Sequence, residues 1–345
     1  MPRATLSVAA LFILLMTAPK VSAIQYTYTN IDMSNYYITV PMSLNNAGQV
    51  VGYAVATFQS NAVPFSYQSG SYSVYSPPIS FKAEFTRINN NGYVVGVDGY
   101  PSWGGPIPTG FLNTFSNLNT SGTYSGISVV NTWYDSSTGK YTTGPGETYI
   151  TGINDSRTMV GYYWNILGSY QGLLTNKTGG LLGPPEVDYT PISVSGYINT
   201  YAMDINNSGQ VVGWVNNPNT VGFIQTGDNI KLVNLGPINS QSDTRLVAVN
   251  DCGQAIAQVG MYASLIYNIQ SETFSPIELL NLPSQYFGLQ VYDINDQGQI
   301  VGYYFNQSGG HAFLASPVPL PGSLLLLGSG VLGLGAVGLR RRKRS

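Results

Sequence analysis

One phrase recurs six times in this 345-residue chain. It reads LNNAGQVVGY from Leu44, INNNGYVVGV from Ile88, INDSRTMVGYY from Ile153, INNSGQVVGW from Ile205, VNDCGQAIAQ from Val249 and INDQGQIVGYY from Ile294. The starts are 44, 65, 52, 44 and 45 residues apart. A period near 44 marks an architecture built from one supersecondary unit per repeat.

Each unit has a physical reading. An aliphatic residue precedes Asn, then Asn or Asp, a variable residue and Gly. Asx side chains bond to the backbone just ahead of them, and Gly adopts positive φ without steric cost, which suits a short hairpin turn with a Gly bulge. A β-branched strand follows. Its inner glycine (Gly52, Gly96, Gly161, Gly213, Gly302) stands where a side chain would crowd a neighbour. A third strand comes after a loop, as in GFLN from Gly110 and AFLA from Ala312, and a fourth precedes the next unit, as in NIKLVNLG at 229–236. Two units depart from the pattern. Arg157 replaces the turn glycine, which predicts a different turn there, and Ala257 replaces the strand glycine. The unit at Ile88 carries an insertion, and NTWYDSSTGKYTTG at 131–144 reads as an added hairpin turning near Ser137–Lys140.

Four strands per unit, six units and almost no helical periodicity predict an all-β chain: a β-propeller of six four-stranded blades. The coils of an open β-solenoid are usually shorter, and paired β-sandwiches have no need of one turn six times. The last unit has only three strands before the tail begins. The alternating segment 24–32 is expected to pair with it and close the ring, since an open sheet edge invites aggregation.

The ends lie outside this body. Residues 1–23 combine an early arginine, an apolar stretch and Val21-Ser22-Ala23, the pattern of a secretory signal cut after Ala23. Residues 323–339 form an uncharged apolar run long enough for a transmembrane helix, and the basic run 340–344 favours the cytoplasmic side. The expected division is therefore signal peptide 1–23, repeat domain 24–316 and tail 317–345. Of 14 basic residues, two lie in the signal and five in the tail; the body holds the remaining seven against all 16 acidic ones, a net charge of 7 − 16 = −9. That argues against a nucleic-acid partner, which wants a basic face. The lone Cys252 offers no internal disulfide, and a chain of this length needs none.

The repeated phrase, with His311-Ala312-Phe313-Leu314 in the last unit, resembles the HAF-type extracellular repeat of bacteria. That resemblance covers most of 24–316 and implies an exported β-rich protein without implying an activity. The tail, with Val318-Pro319-Leu320-Pro321 ahead of the apolar run and the basic end, resembles the PEP-CTERM class of sorting signals in a VPLP variant, Leu320 standing where the commoner form has Glu. This resemblance implies a Gram-negative bacterium, an exosortase-type membrane enzyme as partner, and frequently an exopolysaccharide-rich matrix.

Signs of catalysis are sparse. His311 is the only histidine and sits in the strand motif, so it reads as structural; Cys252 occupies a variable turn position. Asp293, Asn295, Asp296 and Gly298 lack calcium-loop spacing and read as a turn. The remaining carboxylates are scattered, with no spacing that selects a glycosidase pair. No catalytic residue, cofactor or metal site is assigned. The aromatic residues are more suggestive: Trp103, Trp133, Tyr134, Trp164 and Trp214 lie among polar residues, and sugar rings stack on such side chains. Trp133, Tyr134 and Lys140 of the insertion are the candidate ligand contacts. The resulting expectation is an exported, membrane-anchored, non-catalytic cell-surface or matrix protein that binds extracellular polysaccharide. The alternatives are a polysaccharide hydrolase or lyase on the same scaffold and a purely structural surface protein.

Overall fold

The computed structural model describes residues 23–318 apart from 58–61, 76–82, 99–108, 115–124, 128–129, 136–139, 146, 176–188, 218, 236–242, 261–262, 283–285, 287 and 308. The described residues contain strands and turns and no helix. An N-terminal strand β1 (Ile24–Asn30) precedes the first unit, β2 (Ile38–Leu44), β3 (Val50–Val55), β4 (Ala62–Gln68) and β5 (Ser71–Val74). The second unit holds β6 (Ala83–Ile88), β7 (Tyr93–Asp98), β8 (Thr109–Thr114) and β9 (Ser125–Ile127), followed by the hairpin β10 (Val130–Asp135) and β11 (Lys140–Pro145). The third holds β12 (Thr148–Ile153), β13 (Met159–Trp164), β14 (Tyr170–Thr175) and β15 (Tyr189–Ile192); the fourth β16 (Asn199–Ile205), β17 (Val211–Asn216), β18 (Val221–Thr226) and β19 (Asn229–Val233). The fifth has β20 (Thr244–Val249), β21 (Gln254–Val259), β22 (Ala263–Asn268) and β23 (Thr273–Leu279), and the sixth β24 (Gly288–Ile294), β25 (Ile300–Asn306) and β26 (Gly309–Pro317).

The first four units are separate antiparallel four-stranded sheets, and the inserted β10–β11 hairpin forms its own two-stranded sheet, as its sequence indicates. The fifth and sixth units join through β1. As expected, β1 pairs antiparallel with β26, from Tyr26↔Pro317 to Asn30↔Phe313. It also runs parallel to β23, from Ile24↔Ile277 to Tyr26↔Leu279, a pairing the sequence does not announce.

The repeated phrase forms the turn between the first two strands of each unit. In the first, Asn45 N–H donates to Gln49 O at 3.0 Å, Gly48 N–H donates to Asn45 O at 3.0 Å, and Gly48 has φ 72°. This is the three-residue hairpin with a glycine bulge. Arg157 does not change the turn type, contrary to the sequence expectation. Its N–H donates to Asn154 O at 3.0 Å and it takes φ 67° itself. The strain, on the order of 1 kcal/mol, is offset by its guanidinium lying 5.3 Å from the Tyr93 ring centroid.

The two Asx positions have different tasks. The side-chain oxygen of the first accepts two amides of its own turn: in Asn45 these are Ala47 N and Gln49 N, both at 3.1 Å. Its Nδ2 donates to the backbone carbonyl of the first Asn in the next unit. The series runs Asn45, Asn89, Asn154, Asn206, Asn250, Asn295 and back to Asn45, with distances of 2.8 to 3.3 Å. An ionised carboxylate only accepts, so Asp cannot stand there. The second position only has to accept. Its Oδ1 takes the backbone N–H of the preceding unit, in the closed series Asn46, Asn90, Asp155, Asn207, Asp251, Asp296 and Asn46, at 2.7 to 3.0 Å. Asn and Asp serve equally, and both occur.

Packing closes the same circle. Apolar clusters join one unit to the next: Val51 and Tyr75 to Phe85 and Phe111, Val160 and Ile192 to Ala202 and Phe223, and Val301 and Ala312 of the last unit to Ile31, Leu44 and Phe65 of the first. The first strand of every unit carries a bulge just before its turn, between Pro41 and Ser43 in the first and between Val291 and Asp293 in the last. The strand glycine faces that bulge. A Cβ on Gly302 would run into the backbone carbonyl of Gln290. Gly302→Ala is therefore expected to lower stability by about 1–3 kcal/mol through overpacking, more than Ala257→Gly costs in the unit that already carries alanine. Denaturant melts of the two variants decide it, and equal midpoints would refute the bulge argument.

Candidate functional site

The residue just before each turn's aliphatic residue follows the bulge. In chain order these are Ser43, Arg87, Gly152, Asp204, Ala248 and Asp293. They meet inside the ring of turns. Arg87, 6% exposed, reaches across from β6: its Nε lies 3.3 Å from Asp204 Oδ1 and its Nη1 2.7 Å from Asp293 Oδ1. The Nη1 contact is an ion pair in poor hydrogen-bond alignment. Nη2 donates to Val247 O at 2.9 Å and Nε to Thr151 O at 3.3 Å. Asp293 Oδ2 accepts Ser43 Oγ at 2.6 Å and Leu44 N at 3.0 Å, while Asp204 Oδ2 accepts Val249 N at 2.9 Å. One side chain thus ties the second unit to the third, fourth, fifth and sixth.

One guanidinium cannot neutralise two buried carboxylates. Burial pushes Asp204 up to about 7, with Arg87 pulling against that and the Asp293 charge adding to it. Burial also works against the charge on Arg87, but Asp204 and Asp293 outweigh it and hold the guanidinium above its ordinary value. A perturbed carboxyl is often a catalytic acid. Here both carboxylates are committed to Arg87 and to backbone amides, and the adjoining cavity of about 60 Å3 has room for a few waters and no sugar ring. The arrangement is a cross-tie.

The opposite ends of the strands carry a different surface. Tyr149 on β12 pairs with Tyr162 on β13, Trp164 with Tyr170, and Tyr201 on β16 with Trp214 on β17. Tyr149 and Tyr162 stack at 4.8 Å; Tyr201 and Trp214 stack at 3.9 Å. Tyr162 meets Tyr201 edge-on at 5.0 Å, joining the third unit to the fourth. Arg245 of the fifth unit lies 4.8 Å over the Trp214 ring and donates from Nη2 to Asp243 Oδ2 at 3.1 Å. Trp164, 40% exposed, ends the array, and beyond it stand Ile166 and Leu167, 66% and 85% exposed. Burial raises the Tyr170 and Tyr201 phenols, assisted at Tyr170 by the Glu147 charge, so both hydroxyls stay protonated.

The sequence candidates fall in several places. Trp164 and Trp214 belong to this array. Trp133, Tyr134 and Lys140 pair with Thr142, Tyr141 and Asp135 in the inserted hairpin; their side chains lie outside the description, as does Trp103. Val318 is 36% exposed and its N–H donates to Gln25 O at 2.8 Å; Pro319, Leu320, Pro321, the expected membrane helix 323–339 and the signal peptide before Ala23 lie outside the described residues. Among the described residues no helix is long and apolar enough to cross a membrane, and no His, Cys, Asp and Glu cluster could hold a metal ion. His311 is held between Asp32 Oδ2 at 2.8 Å and Asn306 Oδ1 at 3.1 Å and tethers the segment after β1 to β26, a structural role. Cys252 is exposed on its turn, and Asp293 to Gly298 form the last turn. Sequence reading missed Arg87, Asp204 and Asp293 as a group and Tyr149, Tyr162, Tyr170 and Tyr201 as an array. Superposing the six units would have flagged the first set, as charges of both signs sharing one register position with small residues.

The PEP-CTERM protein-sorting motif matches residues 317–343. That motif marks an exported protein, sorted at the membrane and processed by exosortase, a membrane enzyme. No curated protein matches the chain. Among solved structures, YCF48 bound to D1 peptide is similar over 87% of this chain and 99% of its own, with 12% identity and a TM-score of 0.44. A puromycin-hydrolyzing peptidase of Mycobacterium tuberculosis is similar over 86% of this chain and 55% of its own, with 9% identity and a TM-score of 0.40. PorZ, a surface component of the type-IX secretion system of Porphyromonas gingivalis, is similar over 85% and 39%, with 11% identity and a TM-score of 0.37.

The cross-tie carries a pH signature. The folded Asp204 carboxyl titrates near 7 against an ordinary 3.8, so the folded state binds its proton more tightly than the unfolded state. Its contribution is fully present below about 4 and is lost as pH rises through about 7. Asp204→Asn is expected to flatten stability across that window. Arg87→Met, which strands two buried carboxylates, is expected to cost about 3–5 kcal/mol at neutral pH and less near pH 4. Urea melts across pH check both, and a cost of Arg87→Met that does not change with pH would refute the charge balance described above.

Proposed function

We propose that this chain is an exported, non-catalytic protein of the cell surface or extracellular matrix that binds polysaccharide. Its body, 24–316, is a six-bladed β-propeller of the HAF-repeat kind, closed by β1, between a signal peptide at 1–23 and a VPLP-type sorting tail at 317–345. The tail's apolar run, 323–339, holds the protein at the membrane until exosortase acts near Val318-Pro319-Leu320-Pro321.

One observation carries the reading. Strand β26 runs toward the ring of turns, where Pro317 lies beside Gly298, so the tail is joined to the body at that rim. The aromatic array stands at the other ends of the strands. A body tethered by its tail thus turns its sugar-compatible face away from the membrane. The hydrolase or lyase alternative needs two accessible carboxylates, whereas Asp204 and Asp293 are both tied to Arg87 inside the ring.

Truncation after Val318 keeps the pairing of β26 with β1 and removes the sorting tail. It is expected to leave a folded protein that escapes to periplasm or medium, and mass spectrometry of the native surface form is expected to show a new C-terminus near 318–323. A surface form ending in Arg344-Ser345 would make the tail a plain anchor and defeat the processing step.

A further inference from the structure

The charges around the aromatic array make its ligand more specific than polysaccharide in general. Trp164, Tyr170, Tyr201, Trp214 and the Arg245 guanidinium form a row, each centre within 5.3 Å of the next, across three consecutive units. Trp214 is packed against both Tyr201 and Arg245. The more open platform is Trp164, at the far end. A row this long suits a chain of several sugars better than a single one.

Charge narrows the choice. Arg245 is already neutralised by Asp243, Glu147 stands beside Tyr170 at 3.4 Å, and the body carries seven basic residues against 16 acidic ones. A uronate or sulfated chain would meet repulsion without a free cation.

We infer that the row from Trp164 to Arg245 is a subsite for an uncharged polysaccharide, with a sugar ring stacked on Trp164. This rests on the polysaccharide-binding reading above and adds where and which.

The test titrates the full-length chain in detergent with neutral gluco- and manno-oligosaccharides of one to six units and with oligouronates of equal length. Binding of the neutral series is expected to tighten up to about the length of the row. Trp164→Ala is expected to weaken it about fivefold to tenfold while far-ultraviolet circular dichroism stays unchanged. Trp164 is partly exposed, so its truncation leaves the fold intact, and the mild Trp164→Tyr is expected to restore most of the binding. Glycan binding that survives Trp164→Ala but is lost on deleting 131–144 would overturn this subsite and leave the polysaccharide reading standing on the inserted hairpin. Preference for the oligouronates would overturn the uncharged-ligand assignment. No binding of any glycan by the wild-type chain would overturn the polysaccharide reading itself.

Discussion

The structure depends on an asparagine that does two things at once. In each turn the first Asn accepts its own backbone amides through Oδ1 and donates through Nδ2 to the carbonyl of the first Asn in the next unit. Six such residues close a circle of side-chain-to-backbone bonds at the point where the sheets converge. A second circle, from the following Asn or Asp, lies beside it. These residues are largely shielded, Asn45 and Asn295 being among the buried polar groups, so each lost bond strands a donor or acceptor. Closure is thus written into the turn rather than left to sheet packing alone.

The circle fixes what lies inside and outside it. Inside, the six positions before the aliphatic residues are forced together, and only small residues or compensated charges fit. Ser43, Gly152 and Ala248 are the small ones; Arg87, Asp204 and Asp293 alternate with them around the ring. Outside, strands diverge from the turns and their far ends are free to vary. That is where the Tyr and Trp residues accumulate, and where the turn chemistry places no constraint. The division of labour is physical: one rim is spent on closure, and the other is available for a ligand.

Much of the fold is legible in the sequence because the turn is local chemistry. The Asn-Asx-x-Gly phrase specifies a hairpin, the β-branched run after it a strand, and the spacing the number of copies. The inserted hairpin and the pairing of β1 with β26 follow from the same cues. The parallel contact of β1 with β23 does not, because nothing in the alternation of 24–30 distinguishes one exposed edge from the other. The Arg157 turn also misleads: φ preference argues against it, yet two backbone bonds and the Tyr93 ring hold the residue in place. The site was less legible. Trp164 and Trp214 could be picked out as aromatics among polar residues, but Tyr149, Tyr162 and Tyr201 become an array only when the ring sets neighbouring units side by side.

Ring closure is the claim on which the cross-tie, the two rims and the orientation of the tail all rest. Thr27 and Ser316 face each other across the β1–β26 pair, within the roughly 4.5–5.5 Å Cα separation of antiparallel partners that a disulfide spans. In a Cys252→Ser background, Thr27→Cys with Ser316→Cys is expected to oxidise to an intramolecular disulfide in the folded protein, read by mass spectrometry of its unreduced peptides, with a higher melting temperature than the reduced form. Two free thiols, or only intermolecular bridges, in a cooperatively folded protein would contradict the closed ring.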